Sequence, residues 1–91
     1  MKLIDVIARL KEFDPDKTIY AAEPWTPESE VQIEHEPQEE NLLRNSTGNV
    51  LAYFLEIFIA VEFSEDWVAL NPEISNLALC ERLIQYAIND A

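Results

Sequence analysis

The chain has very little glycine, cysteine, histidine or positive charge, and each shortage excludes something. It has one glycine, one cysteine and one histidine in 91 residues, and six lysines and arginines against eighteen acids. With Gly48 alone, no glycine-rich loop can bring several backbone N–H groups around a phosphate. A single cysteine, Cys80, rules out an internal disulfide and fits a reducing compartment. It falls on the apolar side of an expected helix, where cysteine behaves as a small hydrophobe. His35 lies in an acidic loop, so a nucleophile–base pair with Cys80 is not expected, and no catalytic residue is assigned. No metal or other cofactor is expected either. In Glu34-His35-Glu36 successive extended side chains point to opposite faces, and no calcium-loop spacing occurs. Long hydrophobic runs are also missing. The most apolar stretch, Val50 to Phe63, is shorter and more acidic than the roughly 20 residues a bilayer requires.

What is present is negative charge. The formal net charge is −12, and between Thr18 and Glu81 thirteen carboxylates face one cation, Arg44. Nucleic acid and anionic membranes both demand a positive footprint and are excluded as partners. Self-repulsion at this density favours solubility or a basic partner. MKLIDVIARLKEF lacks a secretion signal's uninterrupted apolar core, because Asp5 breaks it, so a cytoplasmic location is expected. The chain reads as one domain, residues 1–91, and 48% hydrophobic residues allow a core without staples.

The stretch VLAYFLEIFIAVEF organises the rest. Its odd positions from Leu51 to Phe63 are all apolar and its even ones mixed, which predicts a central strand ending between Ile59 and Phe63. Ahead of it, Leu3, Val6, Ile7, Leu10 and Phe13 predict a helix over 2–13, stopped by Asp14-Pro15. Residues 18–22 and 30–35 predict a strand pair joined through the proline-punctuated Glu23–Ser29. Residues near 36–49 read as a mobile acidic loop with one sticky point at Leu42-Leu43. After the central strand, Ser64-Glu65-Asp66 signals a helix start, with Ala60 as the other candidate. Ser75 is the expected cap of a last helix whose stripe is Leu77, Cys80, Ile84, Ala87 and Ile88, widened by Leu83. The order is α-β-β-β-α-α: an α+β domain of about three antiparallel strands against about three helices.

Two sets of residues are candidates for binding. Glu56 and Glu62, within the most apolar stretch, are expected on one side of the strand. Either they lie on the wetter sheet face or pair with Arg9, Lys11 or Arg82, or they join Glu30, Glu34 and Glu36 in an acidic face. Trp25, between two prolines, is either a lid over the sheet's edge or an anchor for a partner. The full acidic set is Glu28, Glu30, Glu34, Glu36, Glu39, Glu40, Glu56, Glu62, Glu65 and Asp66.

The segments Thr18-Ile19-Tyr20, Pro24-Trp25-Thr26-Pro27, Tyr53–Ala60, Glu65-Asp66-Trp67 and Cys80–Ala91 resemble a family of small acidic bacterial proteins without an assigned activity. That resemblance spans most of the chain, skips 36–49 and carries over no catalytic residue. In size and acidity the chain is similar to immunity proteins, which neutralise bacterial toxins. The expectation is therefore a non-enzymatic, stoichiometric inhibitor of a basic protein, most simply an immunity protein or antitoxin covering the cationic active-site surface of a toxin such as a nuclease. The rival is a structural or regulatory adaptor that self-associates as a homodimer, its acidity serving solubility alone.

Overall fold

The structure, a computed structural model, describes residues 1–35, 42–44 and 50–90. The first helix, α1 (Leu3–Ala8), is shorter than its periodicity predicts. Arg9 leaves the helical region (φ −132°, ψ 30°), and a 3-10 turn at Leu10–Glu12 continues the path. Leu3, Val6, Ile7 and Leu10 are buried all the same, so the apolar spacing survives the break. The N–H groups of Leu3 and Ile4 donate to the carbonyls of Ser29 (2.8 Å) and Pro27 (3.0 Å). That satisfies donors a helix start leaves without intrahelical acceptors. Lys2 forms an antiparallel bridge with Glu30, and Val31 N–H donates to Met1 C=O at 2.9 Å. The first residues thereby cover part of an open strand edge.

Three strands follow in the expected positions: β1 (Thr18–Ala21), β2 (Val31–Glu34) and, after a further short strand, the central one. The short strand, β3 (Leu42–Arg44), lies inside the stretch read as a loop, and the remainder of that stretch, 36–41 and 45–49, is outside the described residues. With β4 (Val50–Glu56) the sheet is antiparallel in the order β2-β1-β4-β3. This is the α+β arrangement the sequence predicts, extended by one edge strand.

The central stretch departs from its prediction twice. First, the odd positions do not share a face. Ile19 pairs with Leu55 but Tyr20 pairs with Tyr53, so Phe54 is an extra residue, a bulge that offsets the alternation. Phe54 and Leu55 consequently both enter the helix-side core, with Ile19, Ala21 and Val31. Thr18, Tyr20 and Leu51, also buried, belong to the other face, where Tyr53 and Glu56 are half-exposed. Second, the strand stops at Glu56, and α2 (Ile57–Leu70) begins directly, earlier than Ala60 or Glu65. The cause is the turn at 14–17. Ile57 N–H donates to Lys17 C=O (2.9 Å) and Phe58 N–H to Pro15 C=O (3.3 Å), so the new helix finds acceptors at its first residues. Ser64-Glu65-Asp66 is then mid-helix and caps nothing.

The last helix, α3 (Asn76–Asp90), starts as predicted. Ser75 Oγ accepts the N–H of Ala78 at 3.1 Å, closing an N-cap. Its core stripe is rotated from the expected one. Leu79, Cys80, Leu83, Ile84 and Ala87 are buried, whereas Leu77 and Ile88 are 50% and 56% exposed. The stripe is set by what α3 covers: it packs beside α1 on the sheet, and α2 flanks it. Between α2 and α3, Phe63 meets Tyr86 (ring centroids 4.7 Å), and Arg82 lies over the Trp67 ring at 4.9 Å. Trp67 is half-buried under that guanidinium and packs against the core.

Candidate interaction surface

The early start of α2 decides where the acids go. Glu62 is not a strand residue beside Glu56. It sits on α2 with Glu65 and Asp66 at three- and four-residue spacing, and all three are exposed. One turn before Glu62 on the same side is Phe58, 44% exposed. Glu65 Oε2 lies 3.5 Å from Lys11 Nζ. Glu62 and Asp66 have no cation within salt-bridge distance among the described residues, so of the alternatives for Glu62 the pairing with Arg9, Lys11 or Arg82 is not the one seen there.

Glu56 belongs to a second group. Thr18 is registered with Glu34 on one side and Glu56 on the other, so the two carboxylates flank it on the sheet face away from the helices. Two strand spacings separate their backbones by about 10 Å. Neither has a salt bridge among the described residues. Glu30, next along β2, is tied through its backbone to Lys2 and Ala22. Glu28 is neutralised by Lys2 at 2.6 Å, and that hydrogen-bonded carboxylate raises the lysine above its ordinary value. Glu36, Glu39 and Glu40 lie outside the described residues. The eleven expected binding residues are thus not one face. Glu34 and Glu56 form one pair, Glu62, Glu65 and Asp66 another cluster, and Glu28 is taken by the chain's own lysine.

Trp25 is held as a lid. Its Nε1–H donates to Ala21 C=O at 3.2 Å, and its ring meets Phe54 edge-on at 4.9 Å between centroids. The loop carrying it is internally bonded. Ser29 Oγ accepts from Thr26 N–H (2.8 Å) and donates to Pro24 C=O (3.3 Å), and the Glu23–Pro24 peptide is cis. The half-exposed indole separates two open grooves against α3, about 540 and 400 Å³.

A third depression, about 310 Å³, lies between the 3-10 turn and α2. Ile7, Leu10, Val61 and Val68 line it, and Lys11 and Glu65 stand at its edge. Ser64 is in its wall, with a buried hydroxyl oxygen that has no hydrogen-bond partner among the described residues. Sequence reasoning missed this site because it placed 57–59 in a strand. The spacing of Ile57, Ala60, Val61, Ser64, Trp67 and Val68 carries the helical period that reveals it.

Cys80 is fully buried, and burial, helped by Glu81, pushes its thiol up to about 11. It is a neutral core side chain, and His35 is exposed just past β2. Among the described residues no three His, Cys, Asp or Glu side chains gather as metal ligands, and no helix is long and apolar enough to cross a membrane. Comparison of the chain with protein-family models, curated proteins and solved structures gives no match.

Proposed function

We propose that this protein is a cytoplasmic, non-catalytic inhibitor that binds a basic protein one to one, as an immunity protein or antitoxin covers the cationic surface of a toxin such as a nuclease. The observation that carries the reading is the pair Glu62 and Asp66, one turn apart and exposed on α2, with no cation of the chain beside them among the described residues. Their charge is free to be matched from outside, in a molecule of net charge −12. Glu34 and Glu56 add a second pair without a salt bridge among the described residues. Long-range attraction would speed encounter, and apolar contacts would slow release.

The test pairs the purified chain with the basic protein encoded beside it, measuring that protein's activity and the affinity by calorimetry. Full inhibition at equimolar ratio is expected, with affinity falling steeply above about 0.3 M salt as screening shortens the reach of exposed charge. Binding indifferent to salt and to Glu62→Gln with Asp66→Asn would sink the proposal. The self-associating adaptor is favoured by a different observation, the exposure of Val68 (42%) and Leu70 (81%). A concentration-dependent mass in sedimentation, with no effect on any basic protein, would select it.

A further inference from the structure

Helix α2 leaves much of its apolar surface uncovered. It is apolar around most of its circumference, yet of its fourteen residues only Ile57 and Ala60 are buried. A helix with so little polar surface is ordinarily covered. Here Phe58 and Val68 stay 44% and 42% exposed, and the depression against the 3-10 turn is floored by Ile7, Leu10 and Val61. Apolar surface of this kind, rimmed by charge, marks an interaction site.

We infer that this depression and the outward side of α2 form one docking surface, and that its occupant is an amphipathic basic segment of another protein. Resting on the inhibitor reading, the inference names the surface and the chemistry of what it binds. Apolar side chains of the segment enter between the 3-10 turn and α2, and its lysines or arginines meet Glu62 and Asp66. Two cations line the depression: Lys11 is paired with Glu65 at 3.5 Å, and Arg9, whose guanidinium lies against the uncharged Met1 Sδ at 4.0 Å, keeps its charge and so directs the segment's own cations to the Glu62 and Asp66 side of α2. A second copy is a poor occupant, because it would bring another −12 charges and its own Glu62 and Asp66 to the same place.

The experiment uses the full chain, isotope-labelled, titrated with a 14-residue peptide of leucine and lysine at helical spacing and followed by amide chemical shifts. Shifts are expected to concentrate at residues 7–12 and 57–70. Val68→Lys, at an exposed position, and the double change Glu62→Lys with Asp66→Lys should each weaken binding by about tenfold, near 1.4 kcal/mol. A leucine-free lysine peptide should bind at least as weakly. Shifts centred on Glu34 and Glu56, or on the grooves beside Trp25, would overturn the surface but leave the inhibitor reading standing. Equal binding of the leucine-free peptide would reduce the site to charge and overturn the apolar part. Concentration-dependent shifts along α2 without peptide would show a second copy as the occupant, and no response to any lysine peptide would overturn this surface while the inhibitor reading stands or falls on the equimolar inhibition assay.

Discussion

Two serines in this chain should respond to the same substitution with opposite signs. Ser75 Oγ accepts the Ala78 N–H at 3.1 Å at the exposed start of α3. Replacing it with alanine removes the cap and should cost about 1 kcal/mol. Ser64 Oγ is buried in mid-helix without a partner among the described residues. Ser64→Ala there relieves a desolvated hydroxyl, worth about 1 kcal/mol, and adds a few tenths from alanine's better helix propensity. For a domain of this size the urea dependence is about 1 kcal/mol per molar. Ser75→Ala should therefore lower the urea midpoint by about 1 M, and Ser64→Ala should raise it by about as much. Thermal midpoints should move by about 4–8 °C in the same directions. Both must be measured at one salt concentration, because a chain of charge −12 is itself salt-sensitive. Two losses of similar size would mean that Ser64 is hydrogen-bonded in the folded protein. A silent Ser75→Ala would mean that α3 does not begin where its cap is placed.

The Cys80 thiol, raised to about 11 from 9.0, should resist a maleimide at pH 8 in the native state and react promptly in urea. Because the folded state holds the proton more tightly, the stability linked to this thiol is complete below pH 9 and is lost as pH climbs through 11. Cys80→Ala should flatten that alkaline decline in urea titrations, and an unchanged slope would contradict it. Trp25→Ala should cost about 2 kcal/mol, less than a fully buried tryptophan, and Trp25→Phe about half of that through the lost bond to Ala21. Raising sodium chloride from about 0.01 to 0.5 M should stabilise the fold by screening its self-repulsion, and a falling urea midpoint would refute this. Glu62→Gln with Asp66→Asn should change stability by no more than about 0.5 kcal/mol, so that any effect on binding is read cleanly.

Elements whose cause is local were legible before the structure. The alternation at Val31–Glu34 and the Ser75 cap depend on neighbours in sequence, and both stand where the residues put them. What escaped depends on distant backbone. Nothing within Val50–Phe63 announces that carbonyls of Pro15 and Lys17 will receive the N–H groups of Ile57 and Phe58, and that contact moves the helix start. The bulge at Phe54 likewise comes from pairing with Ile19 and Tyr20, not from its own neighbours. The helix start at Ile57 is what sends Glu56 to a sheet and Glu62 to a helix, although the strand pattern groups them. The α3 stripe erred by a modest rotation, since Leu77 and Leu79 are indistinguishable by hydropathy and only the docking of α1 and α2 chooses between them.

The direct splice of β4 into α2 has a mechanical consequence. With no intervening loop, and with Ile57 and Phe58 fastened to the 15–17 turn, the outer side of α2 cannot swivel separately from an inner strand of the sheet. A ligand landing there meets a stiff platform whose ordering entropy was spent during folding, so little is left to lose on contact. Force applied to α2 would be transmitted straight into the middle of the sheet.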